Sequence, residues 1–131
     1  MKLLLDTHIW LWSRLEPERL APSAIAAIQG LENELWLSPL SLWELSNLVE
    51  KRRFVLDSKL DDWIQQAVRN LPVQEAPLTF EVSLECSRVQ LPHRDPVDRF
   101  LVATARVFEL TLVTADERLV GAKGIQVLAN R

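Results

Sequence analysis

Cysteine occurs once in this chain, at Cys86. That excludes an internal disulfide and any cysteine metal cluster. Glycine is scarce, with 3 residues, while 48% of the chain is hydrophobic, which excludes a disordered, low-complexity polymer. Tyrosine is absent although tryptophan occurs 5 times; that usage is unusual but names no function. Positive charge is not in excess. A net charge of −3 excludes an overall basic surface, so any contact with nucleic acid falls to a local patch. Long apolar runs are also missing. The opening MKLLLDTHIWLW is too short and too soon charged to cross a bilayer, and it has no small-residue cleavage site. The expectation is a cytoplasmic protein without membrane contact. The 131 residues suffice for a single domain, 1–131, with a sizeable core.

What is present alternates between strand and helix signals. Lys2 to Leu5 is a short apolar run stopped by Asp6-Thr7, and it reads as a buried strand. His8 to Arg14 looks helical. Pro22 opens a second helix with Ile25, Ile28 and Leu31 on one face. Glu34 to Leu37 is the next strand. Ser38-Pro39 begins a helix to about Arg53, with Leu42, Leu45 and Val49 at core spacing. Ser58 is placed to cap an amphipathic helix carrying Leu60, Trp63, Ile64, Ala67 and Val68. Val73 to Ala76 is a weak strand. Thr79 to Ser87 carries two signals: Phe80, Val82, Leu84 and Cys86 alternate as in a strand, whereas Leu78, Val82, Cys86 and Val89 share one helix face. Helix is the expectation. Thr111 to Val113 and Ile125 to Leu128 are the remaining strands. The alternation predicts an α/β fold with a parallel sheet, whose ligands bind beyond the carboxyl ends of the strands.

The stretch Leu91 to Ala105, LPHRDPVDRFLVATA, stands out. Asp95 is a good N-cap, Pro96 sits at the first helical position, and the residues after Asp98 are almost wholly apolar. Four acids need weighing. Asp6 closes the first strand, Glu44 lies early in the third helix, Asp98 starts the buried helix, and Asp116 follows the Thr111 strand. Each has a plain role. Asp6 can cap a helix at Thr7, Ser41 and Glu44 have capping-box spacing, as do Asp95 and Asp98 less ideally, and Asp116 suits a helix N-terminus. Together they point elsewhere. In a parallel layout strand ends and the helix starts that follow share one sheet edge, so Asp6, Glu44 and Asp116 converge. Clustered carboxylates repel unless a cation holds them. A hard divalent ion with oxygen ligands, Mg²⁺ or Mn²⁺, is the natural partner.

MKLLLDTH, SPLSLWEL, HRDPVDRFLVATA and LTLVTADERL resemble, in that order, the motifs of the PIN-domain nucleases, and among these the VapC toxins of bacterial toxin–antitoxin pairs. The resemblance runs from residue 2 to about residue 119. It implies a three-layer α/β/α domain around a parallel sheet. It also implies that Asp6, Glu44 and Asp98 bind metal with Asp116 as the fourth acid, and that Thr114 is the hydroxyl beside that acid. Asp95 stays a cap. The implied activity is RNA cleavage leaving a 5′-phosphate, and the implied partners are a small antitoxin and a second copy of the chain.

The residue types suit that chemistry. Phosphodiester hydrolysis needs an activated water and charge relief on the phosphate, and carboxylate-bound Mg²⁺ supplies both. No histidine base is then required, and His8 and His93 read as a helix residue and a loop residue. Lys51-Arg52-Arg53 suits a helix C-terminus. Arg94 and Arg99 flank Asp95 and Asp98, so they are candidates for a substrate phosphate; Arg99 could equally hold Asp98. Two other function classes compete. One is a non-catalytic α/β interaction module whose acids only cap helices and whose Trp10, Trp12 and Trp43 serve a protein partner. The other is a phospho-receiver domain, which fits badly because no acidic pair follows the first strand and no lysine follows a late one.

Overall fold

The apolar run at the start of the chain forms the central strand. In the computed structural model, which describes residues 1–131, β1 (Lys2–Leu5) is flanked by β2 (Glu34–Leu37) on one side and β4 (Thr111–Thr114) on the other. Leu3, Leu4 and Leu5 are all fully buried, because helices cover both faces of a parallel sheet and leave no polar side. Two edge strands complete it: the short β3 (Gln74–Glu75) beside β2, and β5 (Gln126–Ala129) beside β4. All pairings are parallel, in the order β3-β2-β1-β4-β5.

Strand alternation splits the core in two. Leu3 and Leu5 pack with Ile9, Trp10 and Leu11 of α1 (Thr7–Leu15), Ala24 and Ile28 of α2 (Pro22–Gln29), Leu45 of α3 (Pro39–Glu50), and Trp63 and Ala67 of α4 (Leu60–Asn70). Leu4 faces the other way, onto Val82 and Cys86 of α5 (Phe80–Cys86) and Leu101, Val102 and Ala105 of α6 (Pro96–Phe108). The chain winds outward from β1 through α1 to α4, then returns through α5 and α6 to β4 on β1's other side. The reversal falls between β1 and β4, whose carboxyl ends therefore open a crevice. This is the parallel α/β sheet that the alternation predicts, in the three-layer α/β/α form that the resemblance implies. No helix is long and apolar enough to cross a membrane.

Three local readings change and one conflict is decided. Leu31 leaves the face assigned to it: α2 ends at Gln29 and Leu31 is fully exposed in the turn beyond. The cap of α4 is Lys59 rather than Ser58, and no side chain bonds there. Trp10 is fully buried in the core, so it serves no partner, while Trp43 is exposed. The Thr79 to Ser87 conflict resolves as helix. The Thr79 hydroxyl accepts the Val82 N–H at 3.1 Å. Val82, Cys86 and Val89 are buried, whereas Phe80 and Leu84, the other half of the alternating set, lie exposed.

Candidate metal centre

The carboxyl ends of β1 and β4 bring the acids together. Asp6 follows β1 directly and is the N-cap of α1, one oxygen accepting the Thr7 N–H at 2.7 Å. Its other oxygen accepts the Thr114 hydroxyl at 2.6 Å. Thr114 ends β4, is fully buried, and also accepts the Asp116 N–H at 3.0 Å. One hydroxyl thus ties two of the acids into a single frame. Both its bonds are internal, so Thr114 positions carboxylates and presents nothing to a substrate.

Glu44 comes from the second turn of α3. That helix starts at Ser38, whose hydroxyl accepts the Leu40 N–H at 3.1 Å. Ser41 is therefore not a cap, and Glu44 bonds no backbone N–H. Its carboxylate instead accepts the Thr7 hydroxyl, which also meets the Ser41 hydroxyl at 2.8 Å. Thr7 and Ser41 are both fully buried.

Asp98 and Asp116 have different partners. Asp95 caps α6, accepting the Val97 N–H at 3.0 Å, so Asp98 is free of that role. It is buried, at 7% exposure, and its Oδ2 lies 2.6 Å from Nε2 of His93. The sequence reading found no histidine–carboxylate pair; here is one. Asp116 caps the short 3₁₀ turn Glu117–Leu119 through the Arg118 N–H at 2.9 Å. The Arg118 guanidinium grips both its oxygens, at 3.0 and 2.8 Å.

The electrostatics divide three against one. Burial pushes the carboxyls of Asp6 and Glu44 above the usual range, against the hydroxyl and amide bonds that favour ionisation. Asp98 is raised to about 6, first by burial and further by the charges of Asp95, Asp6 and Asp116, with the His93 bond opposing. Asp116 is lowered, chiefly by its bond to Arg118. All four acids line one cleft of about 300 Å³, with Asp95 at its rim and His8, Trp12 and Arg118 as walls. A larger hollow of about 620 Å³ lies at the amino ends of β4 and β5, beside Arg106 and Glu109. It gathers no set of carboxylates.

A cation answers what the cleft lacks. Burial raises the pKa of three of its acids, a bound cation would oppose that rise, and their donors are hard oxygens. His93, Asp98 and Asp116 each offer a ligand atom within 4.8 Å of the others. Asp6 and Glu44 line the same cleft but are not members of that close group. The residues fit a divalent ion.

The basic residues fall differently from the sequence reading. Arg99 donates to the Cys86 carbonyl at 3.0 Å, tying α6 to α5; it neither holds Asp98 nor lines the cleft. Arg94 is exposed in the loop before α6 and is not among the cleft's walls. The arginine at the acids is Arg118, which sequence reasoning passed over. Its signal was its place two residues beyond Asp116, the spacing at which a side chain can cap and pair at once. His93, Thr7 and Ser41 were missed too. Only the Asp6-Thr7 dipeptide left a local trace.

Comparison with known proteins agrees with this fold. The family model of the PIN domain matches residues 3–124. Ribonuclease VapC22 of Mycobacterium tuberculosis is 36% identical over 120 residues, covering 89% of this chain and 88% of its own. Among solved structures, VapBC2 from Rickettsia felis bound to a promoter DNA fragment superposes with a TM-score of 0.72 at 16% identity, covering 98% of both chains. FitAcB from Neisseria gonorrhoeae gives a TM-score of 0.65 at 21% identity, over 98% of this chain and 97% of its own.

Proposed function

The chain belongs to the PIN domain family and is a VapC-type ribonuclease toxin, and from that premise we propose that its acidic cleft holds Mg²⁺ or Mn²⁺ and hydrolyses RNA phosphodiester bonds within the strand. The observation that carries this reading is the convergence of Asp6, Glu44, Asp98 and Asp116 in one cleft, with three of them raised above their ordinary pKa. Helix capping does not account for it, since Glu44 and Asp98 cap nothing.

When bound, the ion supplies an activated water and charge relief on the phosphate. The chain does the rest. Asp6, Glu44, Asp98 and Asp116 are its ligands and catalytic residues. Thr7, Ser41 and Thr114 fix the inner pair, so their geometry costs no reorganisation during reaction. His93 orients Asp98 through its Nε2 and would offer the ion a further ligand atom. Arg118, on the exposed side of Asp116, is placed to meet a substrate phosphate. Arg94 and Arg99 have no such place.

The test is a titration of Mg²⁺ and Mn²⁺ into the purified, antitoxin-free protein with RNA. Cleavage should rise with either ion and stop in EDTA. Cleavage that continues undiminished in EDTA overturns the reading.

The partner follows from the same charge. Solved neighbours of this fold include a toxin–antitoxin complex from Klebsiella pneumoniae. A cognate antitoxin carrying Arg or Lys into the cleft of this chain would replace the ion and block the site, and a homodimer is the proposed form of the toxin. The product of the adjoining reading frame should co-purify with it. A chain that binds no such product and is harmless when expressed alone in bacteria is no toxin, whatever its nuclease activity.

A further inference from the structure

The cleft is poorly equipped to hold a nucleic-acid strand by charge. Five carboxylates line it, those of Asp6, Glu44, Asp95, Asp98 and Asp116, against the single arginine Arg118, and that arginine is already paired with Asp116. Counter-charge on lysine and arginine ordinarily supplies most of the affinity for a phosphate backbone. The proposed ion meets the scissile phosphate alone, so the neighbouring nucleotide of a strand that enters this cleft needs a non-ionic hold.

One wall offers it. His8 stands in the first turn of α1, two residues after Asp6, and lines the same cleft while staying exposed. An exposed ring on a helix is ordinarily free to turn. This one is braced. Trp12, one helical turn on, meets it edge to face at 5.8 Å and 61°, and Phe54 lies against it at 6.2 Å and 49°. Trp12 is in turn covered by the Arg19 guanidinium, 5.0 Å from its ring centre. The imidazole is thus an aromatic surface beside the acids, and its two ring neighbours leave it less rotamer freedom to lose when a ligand arrives.

We propose that the His8 ring is a stacking platform for the base of single-stranded RNA next to the scissile phosphate, with Trp12 and Phe54 as positioning residues that hold the ring. The proposal rests on the nuclease reading, because it is the phosphate over the acids that brings a neighbouring base to the rim. Stacking needs no counter-charge, so it works beside carboxylates, and it accepts any base because every base has a π-face. A protein partner could use the same ring, but it has no need to place an aromatic group at a set distance from the metal.

The experiment uses a labelled single-stranded oligoribonucleotide, with binding read by anisotropy in Ca²⁺ to separate affinity from cleavage. His8→Ala should weaken binding about tenfold or more, the scale of one lost stacked base, and His8→Phe should restore most of it. An abasic ribose walked along the oligonucleotide supplies the second arm. At one position it should cost wild type about as much as His8→Ala does, and cost His8→Ala nothing further. Mn²⁺-induced thermal stabilisation should be the same in wild type and both variants. Equal affinity of His8→Ala and wild type overturns the platform, as does an abasic penalty that persists in the variant. Loss of antitoxin binding with RNA affinity intact would assign the ring to the protein partner instead. If wild type shows no Mn²⁺ stabilisation, the metal reading has failed and not this one.

Discussion

The acidic cleft has two halves built on different principles. On one side Asp6 and Glu44 are held by neutral hydroxyls, those of Thr7 and Thr114, with Ser41 behind. On the other, Asp98 and Asp116 are held by side chains that carry or can carry positive charge, His93 and Arg118. A hydroxyl fixes a carboxylate without neutralising it. The first half is therefore a rigid template of carboxylates, whose pKa values burial raises. The second half already has partial counter-charge, and one of its members, Arg118, is exposed and able to move. The contrast assigns the fixed geometry of the site to the β1 side and its exchangeable partners to the α6 and β4 side.

The largest test of that contrast compares losses across it. Asp6→Asn or Glu44→Gln should lower cleavage by at least ~10²-fold, the scale of removing one preorganised charge stabiliser. Arg118→Gln, which breaks an exposed ion pair, should change it by no more than about fivefold. Steady-state rates of the purified variants on one RNA decide this. Equal losses on both sides would remove the distinction between template and exchangeable partner.

Next comes the metal itself. A ligand that binds only the folded state stabilises it by about 2.7 kcal/mol at a hundredfold excess over its dissociation constant, a melting rise of roughly 8 °C for a domain of this size. Wild type should show such a rise with Mn²⁺. Asp98→Asn should lose most of it, and its metal-free form should be at least as stable as wild type because one buried charge has gone. Thermal melts with and without Mn²⁺ are the measurement, and equal shifts in the two proteins would take Asp98 out of the ligand set.

These halves were not equally visible in the sequence. Strands and acids are local signals: an apolar run that halts at Asp6-Thr7, or Pro96 after a capping Asp95, is read within a few residues. The sheet order then follows from the alternation, so the convergence of Asp6, Glu44 and Asp116 was legible. Their partners were not. Thr114 meets Asp6 across 108 positions and Thr7 meets Glu44 across 37, and no local rule links them. Spacing also misled. Arg99 neighbours Asp98 in sequence but points toward α5, because adjacent helical residues lie about 100° apart round the axis. His93 is five residues from Asp98 and touches it because the loop before α6 folds back, which depends on tertiary packing. Trp10 shows the same limit: a tryptophan on a short helix reads as surface or core until the opposing Trp63, 5.6 Å away, is known.

A smaller effect sets Asp116 apart from the other three acids by pH. Asp98 rises from 3.8 to about 6 on folding, and Asp6 and Glu44 move the same way. The folded state therefore binds protons more tightly than the unfolded chain between those values. Stability of the metal-free protein should fall as pH rises through that window, by about 1 kcal/mol from Asp98 alone between about pH 5 and pH 7. Asp116 is shifted downward. Its contribution is present above its unfolded pKa and lost only as pH falls through the lower folded one, outside the window. The metal-free protein should melt several degrees higher near pH 5 than near pH 7. Saturating Mn²⁺ should reverse the slope, because the ion and the protons compete for the same oxygens. A metal-free melting curve that rises toward neutral pH would show that burial does not hold these carboxyls protonated.

The smallest expected effect concerns the acid that belongs to neither half. Asp95 lines the cleft rim, yet one of its oxygens is committed to the Val97 N–H at the start of α6. Asparagine caps a helix about as well as aspartate, and the geometry of that bond survives the change. Asp95→Asn should therefore alter stability by less than roughly 0.5 kcal/mol. Its charge is one of those that raise Asp98 and Glu44, so its loss should ease their ionisation slightly and make the metal-free pH slope shallower. Removing a rim charge that touches no ion should leave the Mn²⁺-induced melting shift within about a degree or two of wild type, the scale of a few tenths of a kcal/mol. Asp95→Ala is the informative companion. It removes the cap along with the charge and should cost about 1 kcal/mol, with the metal shift again preserved. If Asp95→Asn instead loses the shift as Asp98→Asn does, Asp95 is a ligand whose capping bond breaks when the ion binds. The charged half of the site would then extend across the first turn of α6, with three acids against the two of the hydroxyl half.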